Sequence, residues 1–202
     1  MLFSLEESWV MIGMTYNNYF DTIKNELNPL KLYFGNIGGK ISTYKFWDNK
    51  NVGLFLSDSI TVPVVFTTES SIYDYNVIQN ETIIGFGFRK DIFDRIKIYY
   101  AIGFDFIMGN GVYNQRIEKL KYEIDFFNFG IAGDIGIKIN LNKDKFFISS
   151  GLELTYHFIN HTSIASYLKE DTRWMMNSLL GVKPYICFGV NFYTYASNIG
   201  VP

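Results

Sequence analysis

FFNFGIAGDIGIKINL, residues 126 to 141, separates into two unlike faces when every second residue is taken. Phe127, Phe129, Ile131, Gly133, Ile135, Ile137, Ile139 and Leu141 make an apolar row. Asn128, Gly130, Ala132, Asp134, Gly136, Lys138 and Asn140 make a row of small and polar residues. Successive side chains of a strand point to opposite sides, so a period of two puts these rows on the two faces of one β-strand. A helical period of 3.6 would mix them.

The split recurs on both sides of this stretch. Ile96, Ile98, Tyr100, Ile102, Phe104 and Phe106 oppose Lys97, Tyr99, Ala101, Gly103 and Asp105. Ile148, Leu152, Leu154, Tyr156 and Phe158 oppose Ser149, Gly151, Glu153, Thr155 and His157. Leu180, Val182, Ile186, Phe188, Val190 and Phe192 oppose Gly181, Lys183, Tyr185, Cys187, Gly189 and Asn191. Weaker strands read from Val10 to Tyr16, Leu32 to Phe46, Ser57 to Thr67 and Thr82 to Arg89, which makes eight. Gly85-Phe86-Gly87 lies inside the last of these with no helix after it, so it reads as packing rather than as part of a dinucleotide fingerprint. Connections alternate in length. The long ones are Asn17 to Lys31, Thr68 to Glu81, Gly109 to Glu123 and Asn160 to Asn177; the short ones lie around Asp48 to Asn51, Lys90 to Asp94 and Asn142 to Lys145. Long loops at one end and tight turns at the other mark an up-and-down barrel.

Composition agrees with an all-β chain. Of 202 residues 19 are Phe, 15 Tyr and only 4 Pro, a balance that favours strands. No linker divides the chain, so residues 1–202 read as one domain. Eighteen basic against 20 acidic residues give a net charge of −2. With no basic run to neutralise phosphates, nucleic acid is not an expected partner. The lone Cys187 excludes an internal disulfide. No apolar run reaches the roughly 18 residues of a membrane helix. Met1 to Ser8 has neither a basic segment nor a long apolar one, so no signal peptide is expected within it.

The nature of the polar face separates a lipid-embedded barrel from a soluble, lipocalin-like ligand carrier. A strand surface in water is rich in Lys, Glu, Thr and Gln, whereas here that face is mostly Gly, Ala, Ser and Asn, which suits a narrow lumen. The opposite rows of Phe, Tyr, Ile and Leu hold more bulk than eight strands enclose, so they point to lipid. The fold class is therefore an all-β, eight-stranded antiparallel up-and-down transmembrane β-barrel. Tyr16, Tyr19, Phe20, Tyr44, Phe46 and Trp47, near strand ends, are candidates for interfacial belts.

This rhythm resembles the small bacterial outer-membrane barrels typified by the OmpA transmembrane domain, OmpX and OmpW. The resemblance implies periplasmic termini, four long extracellular loops, membrane lipid as the surrounding partner and the outer-membrane assembly machinery as another. The final strand, with Gly189, Phe192 and alternating apolar residues, looks like that class's assembly signal.

Parity puts Lys40, Arg89, Lys97, Lys138 and Lys183 in the lumen with Asp105, Asp134 and Glu153. Charges enclosed together must pair, so a cross-lumen network is expected, with Glu153 and Lys183 as a pair on adjacent strands. Its bland role is a plug; its functional role is a gated narrow pore. His157 and His161, four apart, share a face if the strand continues, but two histidines are too few for a metal site. No metal or cofactor is expected. Asp58 falls among the lipid-facing Leu54, Leu56, Ile60 and Val62, and a bulge near Ser57 or an interfacial position would explain it. Pro63 and Pro184 also suggest bulges. Tyr167, Trp174, Met175 and Met176, with Ile164, form a candidate loop tip for an extracellular partner. The leading function is a structural or surface-interaction barrel, not an enzyme. The alternative is a narrow channel for small or hydrophobic solutes. A lipid-modifying enzyme using His161, Ser163 and Asp171 is the remaining reading. With its apolar rows facing outward, the protein is expected to stay monodisperse only in detergent; size-exclusion chromatography after detergent removal checks this, and a soluble monodisperse monomer would contradict it.

Overall fold

A computed structural model describes residues 4–21, 35–47, 51–64, 73–115, 120–141, 145–166, 169–175 and 179–196. No helix occurs among them. The strands are β1 (Ser4–Asp21), β2 (Gly35–Phe46), β3 (Val52–Val64), β4 (Tyr73–Phe93), β5 (Ile96–Gln115), β6 (Leu120–Asn140), β7 (Phe146–Ser166), β8 (Lys169–Met175) and β9 (Leu179–Ala196). Each of β1 to β7 pairs antiparallel with its sequence neighbour, and β9 pairs with β1, closing the wall. Both β8 and β9 pair with β7, β8 along Asn160–Ser166 and β9 along Phe146–His157. They therefore share the eighth wall position, and the barrel is eight-stranded.

The faces point as the alternation requires. On β6, Ile137 is 49% exposed and its neighbour Lys138 0%. Ile12, Ile102, Phe104, Ile135 and Phe192 stand outward, and Asp105, Ala132, Asp134 and Ser149 are buried in the lumen. The outward row of β6 also marks the apolar belt: it is apolar from Phe127 to Ile139 and charged at Lys121, Glu123 and Asp125, all exposed. Twelve residue steps of about 3.3 Å, tilted about 40°, span roughly 30 Å, the thickness of a hydrocarbon core.

Several expectations are corrected here. Much of the supposed long loops is wall: β5 and β6 stay paired from Ile96/Ile139 to Gln115/Leu120, and β7 continues to Ser166 against β8. Residues 110–115 and 120–123 are polar enough to read as a loop, yet cross-strand hydrogen bonding extends them above the lipid. The lumen is not lined by small residues alone, because Trp9, Tyr44, Phe46, Phe55, Tyr99, Phe147 and Tyr185 are buried inside it. Tyr44 and Phe46 thus belong to the core and not to a belt; Trp47 is exposed. Glycines admit these rings. A Cβ at Gly136 would overlap the Tyr99 ring, at Gly151 that of Tyr185, at Gly189 that of Phe147, and at Gly87 that of Tyr44. Gly136, Gly151 and Gly189 lie directly across a strand pair from the ring they receive, an inside-out version of the aromatic cover given to sheet glycines.

Irregularities fall elsewhere than at the prolines and Asp58. The β2–β3 and β3–β4 registers run through Asp58 unbroken; it stays on the outer face, where Thr82 Oγ1, directly opposite, donates to Asp58 Oδ1 at 3.0 Å. Pro184 keeps register with Leu152, and the β1–β9 ladder resumes the same register beyond it. Pro63 pairs with Asn36 at the end of β3. The bulges among the described pairings are between Asp91 and Phe93 and opposite Phe129/Gly130, where Phe158 is the extra residue of β7.

Substituting Gly136→Val forces the Tyr99 ring from its slot and is expected to destabilise the barrel by about 1–3 kcal/mol, the usual range for overpacking. The urea midpoint of the protein folded into lipid vesicles reads this loss. Tyr99→Leu in the same chain should restore part of it.

Candidate functional site

The lumen is the candidate site, built in three tiers. Nearest the tight turns, Glu7 on β1 faces three cations: Arg89 on β4, with which it forms an ion pair, Lys97 Nζ at 3.5 Å and Lys138 Nζ at 3.4 Å. Trp9 Nε1 donates to the Glu7 carboxylate at 2.6 Å, and Lys138 Nζ donates to Asn191 Oδ1 at 2.6 Å. Lys138 also lies 3.7 Å from the centre of the Trp9 ring, and Arg89 4.4 Å from that of Phe46. Lys97 Nζ also lies 3.3 Å from the exposed Asp91; two carboxylates do not neutralise three cations, and the ring faces supply further negative potential.

The middle tier is phenolic. Tyr44 Oη donates to Asp134 Oδ2 at 2.6 Å and Tyr185 Oη to Asp134 Oδ1 at 2.7 Å. Tyr99 Oη is 2.7 Å from Tyr185 Oη and hydrogen-bonds Ser149. Together with Trp9 and Phe147 these rings form one buried cluster across the barrel. The upper tier is acidic. Lys40 pairs with Glu153 and Lys183 with Glu81; Lys183 Nζ also lies 3.5 Å from Glu153 Oε1 and 3.6 Å from Asp105 Oδ2. His157 Nε2 is 2.8 Å from Asp105 Oδ2. Asp105, Gly130 and His157 occupy one row across β5, β6 and β7, and the glycine between them carries no side chain to keep the two apart.

Of the charged residues assigned inward by parity, Lys40, Asp105, Asp134, Lys138, Glu153 and Lys183 are buried, and Arg89 and Lys97 are mostly buried against Glu7. Glu153 and Lys183 are register partners, but their 3.5 Å contact is secondary: each makes its closest pair across the lumen, with Lys40 and with Glu81. Parity within one strand shows which side a residue faces and is silent on what faces it. Glu7 and Glu81 were missed because β1 and β4 read as starting at Val10 and Thr82. Carrying the parity of Arg89, Gly87 and Ile83 two residues further places Glu81 inside.

The two histidines part company at the Phe158 bulge, which shifts the parity of β7. His157 is buried in the lumen, whereas His161 lies on the outer face, on a strand and not in a loop. It lines a groove of 390 Å³ with Ile78, Asn80, Met108, Asp125 and Phe127, at the level where the apolar belt gives way to charge. Ser163 shares the outward parity of His161, and Asp171 pairs with Ile164 on β8. The side chains of Trp174 and Met175 on β8, and residues Tyr167 and Met176, lie outside the described set. Cys187 is free and buried.

No family model matches the chain, and no curated protein does. Solved structures do match in fold. Neisserial surface protein A (NspA) superposes with a TM-score of 0.60 at 7% identity, covering 92% of this chain and 97% of the other. The outer membrane protein OprG of Pseudomonas aeruginosa gives 0.61 at 9%, covering 95% and 98%. Ail, the attachment invasion locus protein of Yersinia pestis, crystallised with the heparin analogue sucrose octasulfate, gives 0.53 at 13%, covering 93% and 99%. The chain has the fold of the small eight-stranded outer-membrane β-barrels.

Glu7→Gln leaves Arg89 and Lys138 without their carboxylate partner and Lys97 with the exposed Asp91 alone. A loss of about 3–5 kcal/mol is expected, as for breaking a buried ion pair from one side. Urea unfolding in vesicles measures it, and a neutral outcome would mean that water already screens the tier.

Proposed function

We propose that the chain is a bacterial outer-membrane barrel of structural and surface-contact type, with its tight turns in the periplasm and its long walls outside the cell. One observation carries this reading. The outward row of β6 turns charged at Asp125, five residues after the strand begins, and β5, β7 and β8 rise with it. At about 3.3 Å per residue this stretch stands on the order of 15 Å above the lipid. A paired wall in water holds a contact surface more rigidly than a loop, which lowers the entropy lost on binding. Membrane lipid surrounds the belt, and the outer-membrane assembly machinery inserts the barrel. No chemical step is assigned to it.

The closed lumen agrees with a role outside the pore. The Trp9, Tyr44, Tyr99, Phe147 and Tyr185 side chains fill one tier, and ion pairs fill those above and below. A second reading, passage of hydrophobic solutes, is favoured by the outer-face groove at His161, where apolar Ile78, Met108 and Phe127 meet polar Asn80 and Asp125.

In planar bilayers the protein is expected to give no conductance steps. Glu153→Ala should stay silent too, since the ring tier below it remains; open-channel steps in either would favour the pore. In cells, replacing residues 162–173 by a two-residue turn should abolish surface binding of any partner while leaving the folded barrel in the membrane. Retained binding would move the contact surface elsewhere.

A further inference from the structure

We infer that the upper tier of the lumen is a divalent metal site formed by Glu81, Asp105 and His157. The inference is independent of whether the extended walls meet a partner. The three residues come from β4, β5 and β7, are at most 2% exposed, and each offers a ligand atom within 4.8 Å of the other two. Donors held about 2.1 Å from one ion in adjacent coordination positions are about 3 Å apart, and the 2.8 Å between His157 Nε2 and Asp105 Oδ2 has that spacing. Metal and proton are alternative occupants of the gap between them.

Two further observations point to a cation. The first is charge. The middle and upper tiers enclose four carboxylates, Glu81, Asp105, Asp134 and Glu153, against two ammoniums, Lys40 and Lys183, a formal excess of two negative charges when every group is ionised. A divalent ion beside a neutral imidazole cancels it, as protons on two of the carboxylates would; a protonated His157 cancels only half. The surplus of cations around Glu7 lies on the far side of the ring tier. The second is an orphan acceptor: Asp105 Oδ1, in a residue 0% exposed, makes no hydrogen bond, and a buried acceptor left unpaired costs about 1–3 kcal/mol.

Lys183 occupies the site electrostatically in this structure, pairing with Glu81 and lying 3.6 Å from Asp105. It need not be expelled to admit an ion, because Glu153, its register partner at 3.5 Å, holds the ammonium once Glu81 turns to the metal. One imidazole nitrogen with two carboxylates selects Mn²⁺, Fe²⁺, Co²⁺, Ni²⁺ or Zn²⁺ over Mg²⁺ and Ca²⁺, which prefer oxygen alone. The approach is from the long-walled end. There the next layer carries Thr61, Gln79 and Asn128 beside the buried apolar Ile107, and Thr61 Oγ1 and Asn128 Oδ1 are buried without a hydrogen bond, acceptors that an entering ion would meet. Toward the turns the ring tier blocks it.

The test titrates chelator-treated, detergent-solubilised protein with Mn²⁺, Co²⁺ or Zn²⁺. Calorimetry should find one ion per chain, and affinity should fall in Asp105→Asn and His157→Gln by at least the roughly 10- to 100-fold that outer ligand partners contribute. Lys183→Met, which removes the competing ammonium, should bind more tightly. In the unaltered protein, diamagnetic Zn²⁺ should shift the imidazole NMR signals of His157 and leave those of His161 in place, a readout that needs no variant to fold. Absence of saturable binding, a Zn²⁺-induced shift at His161 alone, or affinity indifferent to both substitutions would overturn the site.

Discussion

Hydrocarbon offers no hydrogen bond to a peptide group, and this constraint governs the whole molecule. Each backbone N–H or C=O left open in lipid costs several kcal/mol, so the sheet must close on itself. It does so through the β1–β9 ladder, which returns the last strand to the first. Closure at eight positions then fixes a narrow interior, and a narrow interior must be filled. The outer rows of Ile and Phe are set by lipid; the inner composition is set by geometry.

That interior is filled in two ways. Aromatic rings occupy slots left by glycines on neighbouring strands, giving a tier dense enough to separate what lies above it from what lies below. Charged residues fill the remaining volume and are tolerated because they meet across the lumen. Five carboxylates (Glu7, Glu81, Asp105, Asp134 and Glu153) balance five cations (Lys40, Arg89, Lys97, Lys138 and Lys183) in number, yet they are segregated, cationic toward the turns and acidic toward the long walls. A buried ion pair is a poor source of net stability, since desolvation offsets the Coulomb gain. Its presence at this density is better explained by a need for closure, register or cation binding.

The walls carry the constraint beyond the membrane. Once strands pair in lipid, continuing the ladder into water keeps each added residue hydrogen-bonded, and the outer face need only exchange apolar for polar residues. The β5–β6 and β7–β8 hairpins do this. At the boundary His161, Asp125 and Asn80 share a groove with Ile78 and Phe127, where the outer surface is apolar on one side and wet on the other.

Periodicity is local, and whatever depends on it alone could be read from the chain: strand number, the lipid-facing rows, and the inward direction of Lys40, Asp105, Asp134, Lys138, Glu153 and Lys183. Strand ends were less legible, since residues above the lipid lose the apolar half of the alternation while keeping the ladder; Glu81 was lost in this way. The Phe158 bulge, which turns His161 outward, leaves no mark in composition. Least legible were the partners. That Lys40 meets Glu153, that Lys183 reaches Glu81, and that His157 faces Asp105 across Gly130 follow from the stagger and curvature of a closed sheet. These relations join residues as many as 113 positions apart, and no pattern within a single strand encodes them.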